Sequence, residues 1–171
     1  MAALYCDYVD QEKQSMTNIL GAILTQLFAS DGIREPVQQA FRRAKLGGRA
    51  AKLSDLMEML KATIALLQRV FICIDALDEC LPGIRLKLLQ SLQEIVRASP
   101  TTRVFLTGRP HVQDEVKRYF PEAIMIPITP TLGDIETFLK MRLDEDPTPT
   151  AMDYKLRAEI MSVIPRKISQ M

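Results

Sequence analysis

The chain has 171 residues, 47% of them apolar and 25% charged, with a formal net charge of +1. That suffices for one soluble domain with a real core, and it offers no global field toward nucleic acid, an anionic membrane or an acidic partner. No apolar run approaches the roughly 20 residues of a bilayer-spanning helix, and the N-terminus meets Asp7 without the basic flank of a signal peptide.

In chain order, Ala3 to Val9 (ALYCDYV) reads as a strand rich in β-favouring residues. Ser15 caps a helix whose Ile19, Leu20, Ile23, Leu24, Leu27 and Phe28 follow helical spacing up to Asp31-Gly32. A second helix is predicted over Glu35 to Lys45, with Pro36 in its first turn and Gly47-Gly48 beyond it. Ser54 opens a third, with Leu56, Leu60, Ile64 and Leu67 on one stripe. The apolar run Val70 to Ile74 is a strand, and the helix after Pro82 carries Ile84, Leu88, Leu89, Leu92, Ile95 and Val96. Arg103 to Gly108 (RVFLTG) is another short strand, followed by a short helix over Val112 to Tyr119. Ala123 to Ile128 (AIMIPI) is predicted as a fourth strand, placed near an edge or shortened by Pro127. Helices near Leu132–Leu143 and Met152–Ile164 close the chain, separated by the Pro147/Pro149 linker.

Strands alternating with helices predict an α/β fold, a mostly parallel sheet with helices on both faces and a helical C-terminal tail. Unbroken apolar strands agree, because strands buried on both faces do not alternate in hydropathy. The expected organisation is a core over residues 1–129 and a helical part over 130–171.

Cys6, Cys73, Cys80 and His111 could together supply a Cys3His zinc site. Cys73 lies within an apolar run and no Cys-x-x-Cys pair exists, so the cysteines read as structural thiols. Their odd number and irregular spacing argue against a disulfide framework and for a reducing, cytoplasmic setting.

The segment RVFICIDALDECLP, Arg69 to Pro82, raises the chemical question. Five apolar residues run into Asp75, and Asp78 and Glu79 follow. Burying such charges is costly unless something pairs with them. In open parallel sheets ligands bind at the carboxyl ends of the strands, where Asp75 falls, and small Ala76 permits a tight turn there. A divalent cation with a bound nucleotide would relieve the repulsion among three carboxylates. The plainer alternative is a strand end followed by a helix cap, with Asp78 or Glu79 serving the helix near Pro82.

FICIDALDEC resembles the extended Walker B motif of P-loop NTPases, in the form typical of NACHT domains of the signal-transduction ATPase (STAND) class. RVFLTGRP resembles their sensor 1 segment, and YCDYVDQEKQS with its amphipathic helix resembles the second strand and helix of NACHT domains in fungal NLR-like proteins. The resemblance spans nearly the whole chain and implies a partial P-loop NTPase fold. It implies that Asp75 holds Mg²⁺ through water, that Asp78 positions or activates the attacking water, and that Glu79 is a helper or alternative. Arg109 then senses the γ-phosphate of ATP or GTP, a task suited to a guanidinium; as an exit from a strand, Arg-Pro also has an ordinary structural reading.

None of the seven glycines is followed by lysine, so the sequence contains no Gly-x-x-x-x-Gly-Lys-[Ser/Thr] loop to cradle phosphate. The resemblance places that loop upstream of Ala3, so the chain is expected to begin after it and to be cut short at its other end as well. The expected function is then a partial nucleotide-binding module of a signalling ATPase switch, unable to bind or hydrolyse ATP alone. The alternatives are a non-enzymatic module that docks on full-length NACHT relatives and an NTPase whose P-loop comes from another chain. A missing central strand would also leave an apolar edge near Arg103–Gly108, with self-association expected. Nucleic acid and membrane are not expected partners.

Overall fold

A computed structural model describes residues 1–31, 52–146 and 152–168. Two compact units divide the chain between Ala123 and Ile124. The first contains β1 (Ala2–Tyr5), a 3-10 turn at Tyr8–Lys13, α1 (Met16–Asp31), α2 (Leu53–Ala65) and β2 (Val70–Asp75). A 3-10 turn at Leu77–Glu79, α3 (Pro82–Ala98), β3 (Thr102–Leu106), a turn at Pro110–Val112 and α4 (Gln113–Tyr119) follow. The predicted helix over 35–45 lies outside the described residues.

The strands form a parallel sheet in the order β1-β2-β3, with Ala2 beside Ile72 and Val70 beside Thr102. This is the expected α/β architecture. Val70, Ile72 and Ile74 point one way and are buried with Leu20, Ile23 and Leu27 of α1, Leu60 and Ile64 of α2, and Leu88, Leu89 and Leu92 of α3. One cluster therefore joins β2 to all three long helices, which lie on the same face of the sheet. The helices expected on the second face are not among the described elements of this unit. Burial alternates along β2 because Phe71 stands on that other face, its ring 6.3 Å from that of Phe105. Period 2 thus governs a strand whose composition suggested burial on both sides.

The helix boundaries have local causes. Ser15 Oγ accepts the Asn18 N–H at 3.2 Å, capping α1 as its sequence implied. Pro82 occupies the first turn of α3, where a missing N–H costs nothing. β1 is shorter than predicted because the Asp7 carboxylate accepts the Val9 N–H at 2.8 Å and starts a 3-10 turn.

The two sheet edges differ. Ala3 turns its backbone groups outward from β1, and the Gln26 side-chain amide takes both: it accepts from Ala3 N–H at 2.9 Å and donates to Ala3 O at 2.8 Å. At the other edge Thr107 N–H donates to Ile74 O, so alternation turns the backbone groups of Val104 and Leu106 outward from β3. The predicted strand over 123–128 has no regular structure, and Ile124 and Ile128 are 89% and 87% exposed. An apolar β-favouring segment becomes a strand only with a partner along its backbone, and no described strand pairs with it.

Thr102 is buried at the start of β3, and its hydroxyl has no hydrogen-bond partner. Thr102→Val keeps the β-branched shape and removes that group, so urea unfolding is expected to show a gain of about 1 kcal/mol. A loss of stability instead would mean that the hydroxyl is satisfied.

The second unit pairs α5 (Leu132–Asp144) with α6 (Tyr154–Ile168). Thr131 and Asp134 form a capping box at the start of α5, and the Thr131 contacts hold the Asp134 carboxyl below its usual range. Arg157 of α6 forms an ion pair with Asp144 of α5. Among the described residues no helix is long and apolar enough to cross a membrane.

Candidate functional site

The exit of β2 sets the site. Ala76 has φ 54° and ψ 46°, a left-handed conformation that is unusual for a residue with a Cβ. This reversal drives Leu77 into the core, where it is 1% exposed, and leaves Asp75 at the surface. Asp78 and Glu79 follow on the same 3-10 turn.

Thr107 stitches this turn to the end of β3. Its N–H donates to Ile74 O at 3.0 Å and its carbonyl accepts the Leu77 N–H at 2.9 Å. Its hydroxyl donates to Asp75 Oδ1 and accepts the Ala76 N–H. A backbone reversal that places Asp75 at a strand end is therefore held by one neighbouring threonine, which the sequence reading did not single out. Only strand register, invisible in local sequence, brings Thr107 beside Asp75.

Asp78 faces the next two residues. Its Oδ1 accepts the Arg109 N–H at 3.1 Å, and Arg109 Nε lies 3.4 Å from Oδ2. The side chains differ sharply in exposure, 8% for Asp78 and 76% for Arg109. Gly108 packs close to the next turn: a Cβ there would stand 3.1 Å from Val112 Cγ2, which would have to give way, and in ordinary contact with Asp78 Oδ1. Glu79 is engaged elsewhere: its Oε2 accepts the Tyr8 N–H at 3.1 Å and its carbonyl accepts Gln11 Nε2 at 2.9 Å. The structure thus pairs Asp75 with Thr107 and Asp78 with Arg109, and turns Glu79 to the segment after β1.

The cluster creates a negative field. The exposed Tyr5 phenol is pushed above its ordinary pKa, first by Glu79 and then by burial, Asp7, Asp75 and Asp78. Behind the turn, the Arg85 guanidinium makes two bonds to the Glu115 carboxylate, at 2.6 and 2.8 Å. Arg85 Nη1 also donates to Cys80 O at 3.1 Å and to Asp78 O at 3.4 Å. The Glu115 pairing raises the Arg85 pKa, and the Arg85 hydrogen bond lowers that of Glu115. Sequence carried one signal for this anchor: Arg85 sits one helical turn before Leu88 and Leu89, on the apolar stripe of α3.

Cys6 and Cys80 are buried with their sulfurs 2.8 Å apart. The hydrogen bond with Cys80 pushes the Cys6 thiol upward, helped by burial, and the same bond pulls Cys80 down.

Among the described residues no three carboxylates, thiols or imidazoles stand together as metal ligands. Mg²⁺ does not require such a cage, since it keeps several waters and binds through one or two carboxylates plus phosphate oxygens. One exposed carboxylate beside a hydroxyl, Asp75 with Thr107, fits that pattern. The exposed Arg109 guanidinium supplies a cation suited to phosphate oxygens.

A family model described as Nephrocystin 3, N-terminal, matches residues 1–109. No curated protein and no solved structure matches the chain. The matched segment runs from β1 to Arg109 and contains Asp75, Asp78, Glu79 and Arg109. Since it covers more than half of the sequence, the chain belongs to the nephrocystin 3 N-terminal family.

Proposed function

We propose that the chain is part of a NACHT-type nucleotide-binding module of a signalling ATPase switch, of the kind found in fungal NLR-like proteins. The observation that carries this reading is the meeting of Asp75 and Asp78 with Thr107 and Arg109 at the carboxyl ends of adjacent parallel strands.

Asp75, with Thr107 beside it, is the residue to hold a hydrated Mg²⁺, which when bound supplies charge neutralisation for a triphosphate. Asp78 is the group to orient an attacking water and accept its proton. In the present arrangement that carboxylate is occupied by Arg109. A 3.4 Å contact to a mostly exposed guanidinium is weak, so an incoming phosphate competes for Arg109 readily. Movement of Arg109 from Asp78 to the ligand frees the carboxylate and reports the presence of the anion, coupling occupancy to the shape of the loop. Glu79, held by Tyr8 and Gln11, stands beside Asp78 as the helper or alternative acid.

The test compares the chain alone with the chain extended at its N-terminus by a strand and a Gly-x-x-x-x-Gly-Lys-[Ser/Thr] loop from a family relative. Calorimetric titration with Mg-ATP is expected to show no saturable binding below about 1 mM for the former, because positioning and charge stabilisation fall largely to that loop. Micromolar affinity is expected for the extended chain, weakened at least tenfold by Asp75→Asn. An extended chain that ignores nucleotide but associates with a full-length relative would replace this reading with that of a docking module.

A further inference from the structure

We propose that Cys6 and Cys80 form a reversible intramolecular disulfide that locks the acid-bearing turn onto the end of β1. This inference concerns the two thiols and does not depend on nucleotide binding. Cys6 immediately follows β1, and its N–H donates to Asp75 O at 3.0 Å. Cys80 ends the turn that carries Asp78 and Glu79. The sulfurs are 2.8 Å apart, so bond formation requires them to approach by only about 0.8 Å, to the ~2.05 Å of a disulfide.

The surroundings favour closure over mere proximity. Tyr8 N–H and Gln11 Nε2 both donate to Glu79, and Gln14 Oε1 lies 3.5 Å from Cys80 Sγ. The two segments are already held together by these contacts, so the sulfurs stay near each other in the folded chain. Cys73 does not compete within the molecule: it alternates with Ile72 and Ile74 and belongs to the opposite face of the sheet.

The oxidant named by this chemistry is hydrogen peroxide, small enough to reach sulfurs that are nearly covered. The Cys80 sulfur attacks one peroxide oxygen and the O–O bond breaks. The thiol proton leaves with the departing hydroxide as water, giving a sulfenic acid. The Cys6 sulfur then attacks the Cys80 sulfur, the S–O bond breaks, and the second hydroxide leaves with the Cys6 proton as water. Two thiols are oxidised to one disulfide and one peroxide is reduced to two waters. A dithiol reductant reverses the step by exchange.

The bond closes a loop of about 75 residues, a length for which cross-linking removes much unfolded-state freedom. The test uses the full chain with Cys73→Ser. After peroxide, thiols titrated under denaturing conditions are expected to fall from two to none in a monomer whose mass drops by two hydrogens. Dithiothreitol is expected to restore both. The oxidised form is expected to melt roughly 10 °C higher, with slower amide exchange at residues 76–80. Two surviving thiols, a sulfinic acid on one cysteine, an intermolecular dimer, or unchanged exchange at 76–80 overturns the proposal. Peptide mapping of the unsubstituted chain guards against a folding defect of Cys73→Ser: a Cys6–Cys80 link with Cys73 free supports the lock, and any link through Cys73 overturns it.

Discussion

Glu115→Ala is expected to cost the 1–123 unit about 3 kcal/mol, because it leaves the Arg85 guanidinium buried without its carboxylate. Arg85 is 7% exposed, and its remaining partners are the carbonyls of Asp78 and Cys80. The figure sits at the low end of the range for broken buried pairs, since Glu115 keeps some contact with water. A double change, Arg85→Met with Glu115→Leu, is expected to restore most of the loss by removing both charges together. The pH dependence has a definite sign. Arg85 lowers the Glu115 pKa in the folded state, so this contribution is fully present above the ordinary glutamate value of about 4.3 and fades as pH falls through the lower, folded value. Urea unfolding followed by circular dichroism should therefore show a gap between the parent and Glu115→Gln that is full near pH 7 and shrinks as pH falls below the ordinary glutamate value of about 4.3. A gap that stays constant over that span would assign the effect to packing and not to charge.

In a form of the protein that hydrolyses nucleotide, Asp78→Asn is expected to slow turnover by roughly 10²–10⁴-fold while leaving nucleotide affinity within a few-fold. The substitution keeps an oxygen for the Arg109 N–H, removes the charge and the basicity, and turns an amide NH₂ toward Arg109 Nε. Its partner guanidinium is mostly solvent-exposed, so the stability change is expected to stay within about 1 kcal/mol. That combination separates a chemical role from a structural one. Single-turnover rates beside equilibrium binding make the measurement, with Asp75→Asn as the contrast, expected to weaken Mg²⁺-dependent binding too. Parental turnover in Asp78→Asn would pass the role to Glu79 or to no residue of this chain.

The periodicities carried most of the first unit. Ile19 to Leu27 repeat at helical spacing and form the buried stripe of α1, and the run Val70 to Ile74 is β2. Composition failed where a neighbour decides the outcome. Ala123 to Ile128 has the residues of a strand, but hydropathy does not reveal whether a partner backbone exists. Val70 to Ile74 likewise looked buried on both sides, although Phe71 and Phe105 share a partly exposed face that no described helix of the first unit covers. The same division runs through the site. Asp75 and Asp78 stood out because acids at the end of an apolar strand need a reason, and Arg109 through the resemblance of RVFLTGRP to a sensor 1 segment. Thr107 and Glu115 did not, because the first acts through strand register and the second through the packing of α4 on α3.

The unequal sheet edges restrict the symmetry of any assembly built by strand addition. Gln26 fills the hydrogen-bonding positions of Ala3 on β1, whereas no described strand pairs with the outer side of β3, toward which Val104 and Leu106 turn their backbone groups. A head-to-tail arrangement would need β3 of one copy to meet β1 of the next, and there it must displace the Gln26 amide from the Ala3 backbone groups. Two copies can still meet β3 to β3 across a two-fold axis, with the strands antiparallel. Such a contact pairs the β3 edge of each copy and leaves β1 out of the pairing. The glutamine on α1 therefore acts as a gatekeeper: it disfavours edge-to-edge growth through β1 relative to a closed pair through β3.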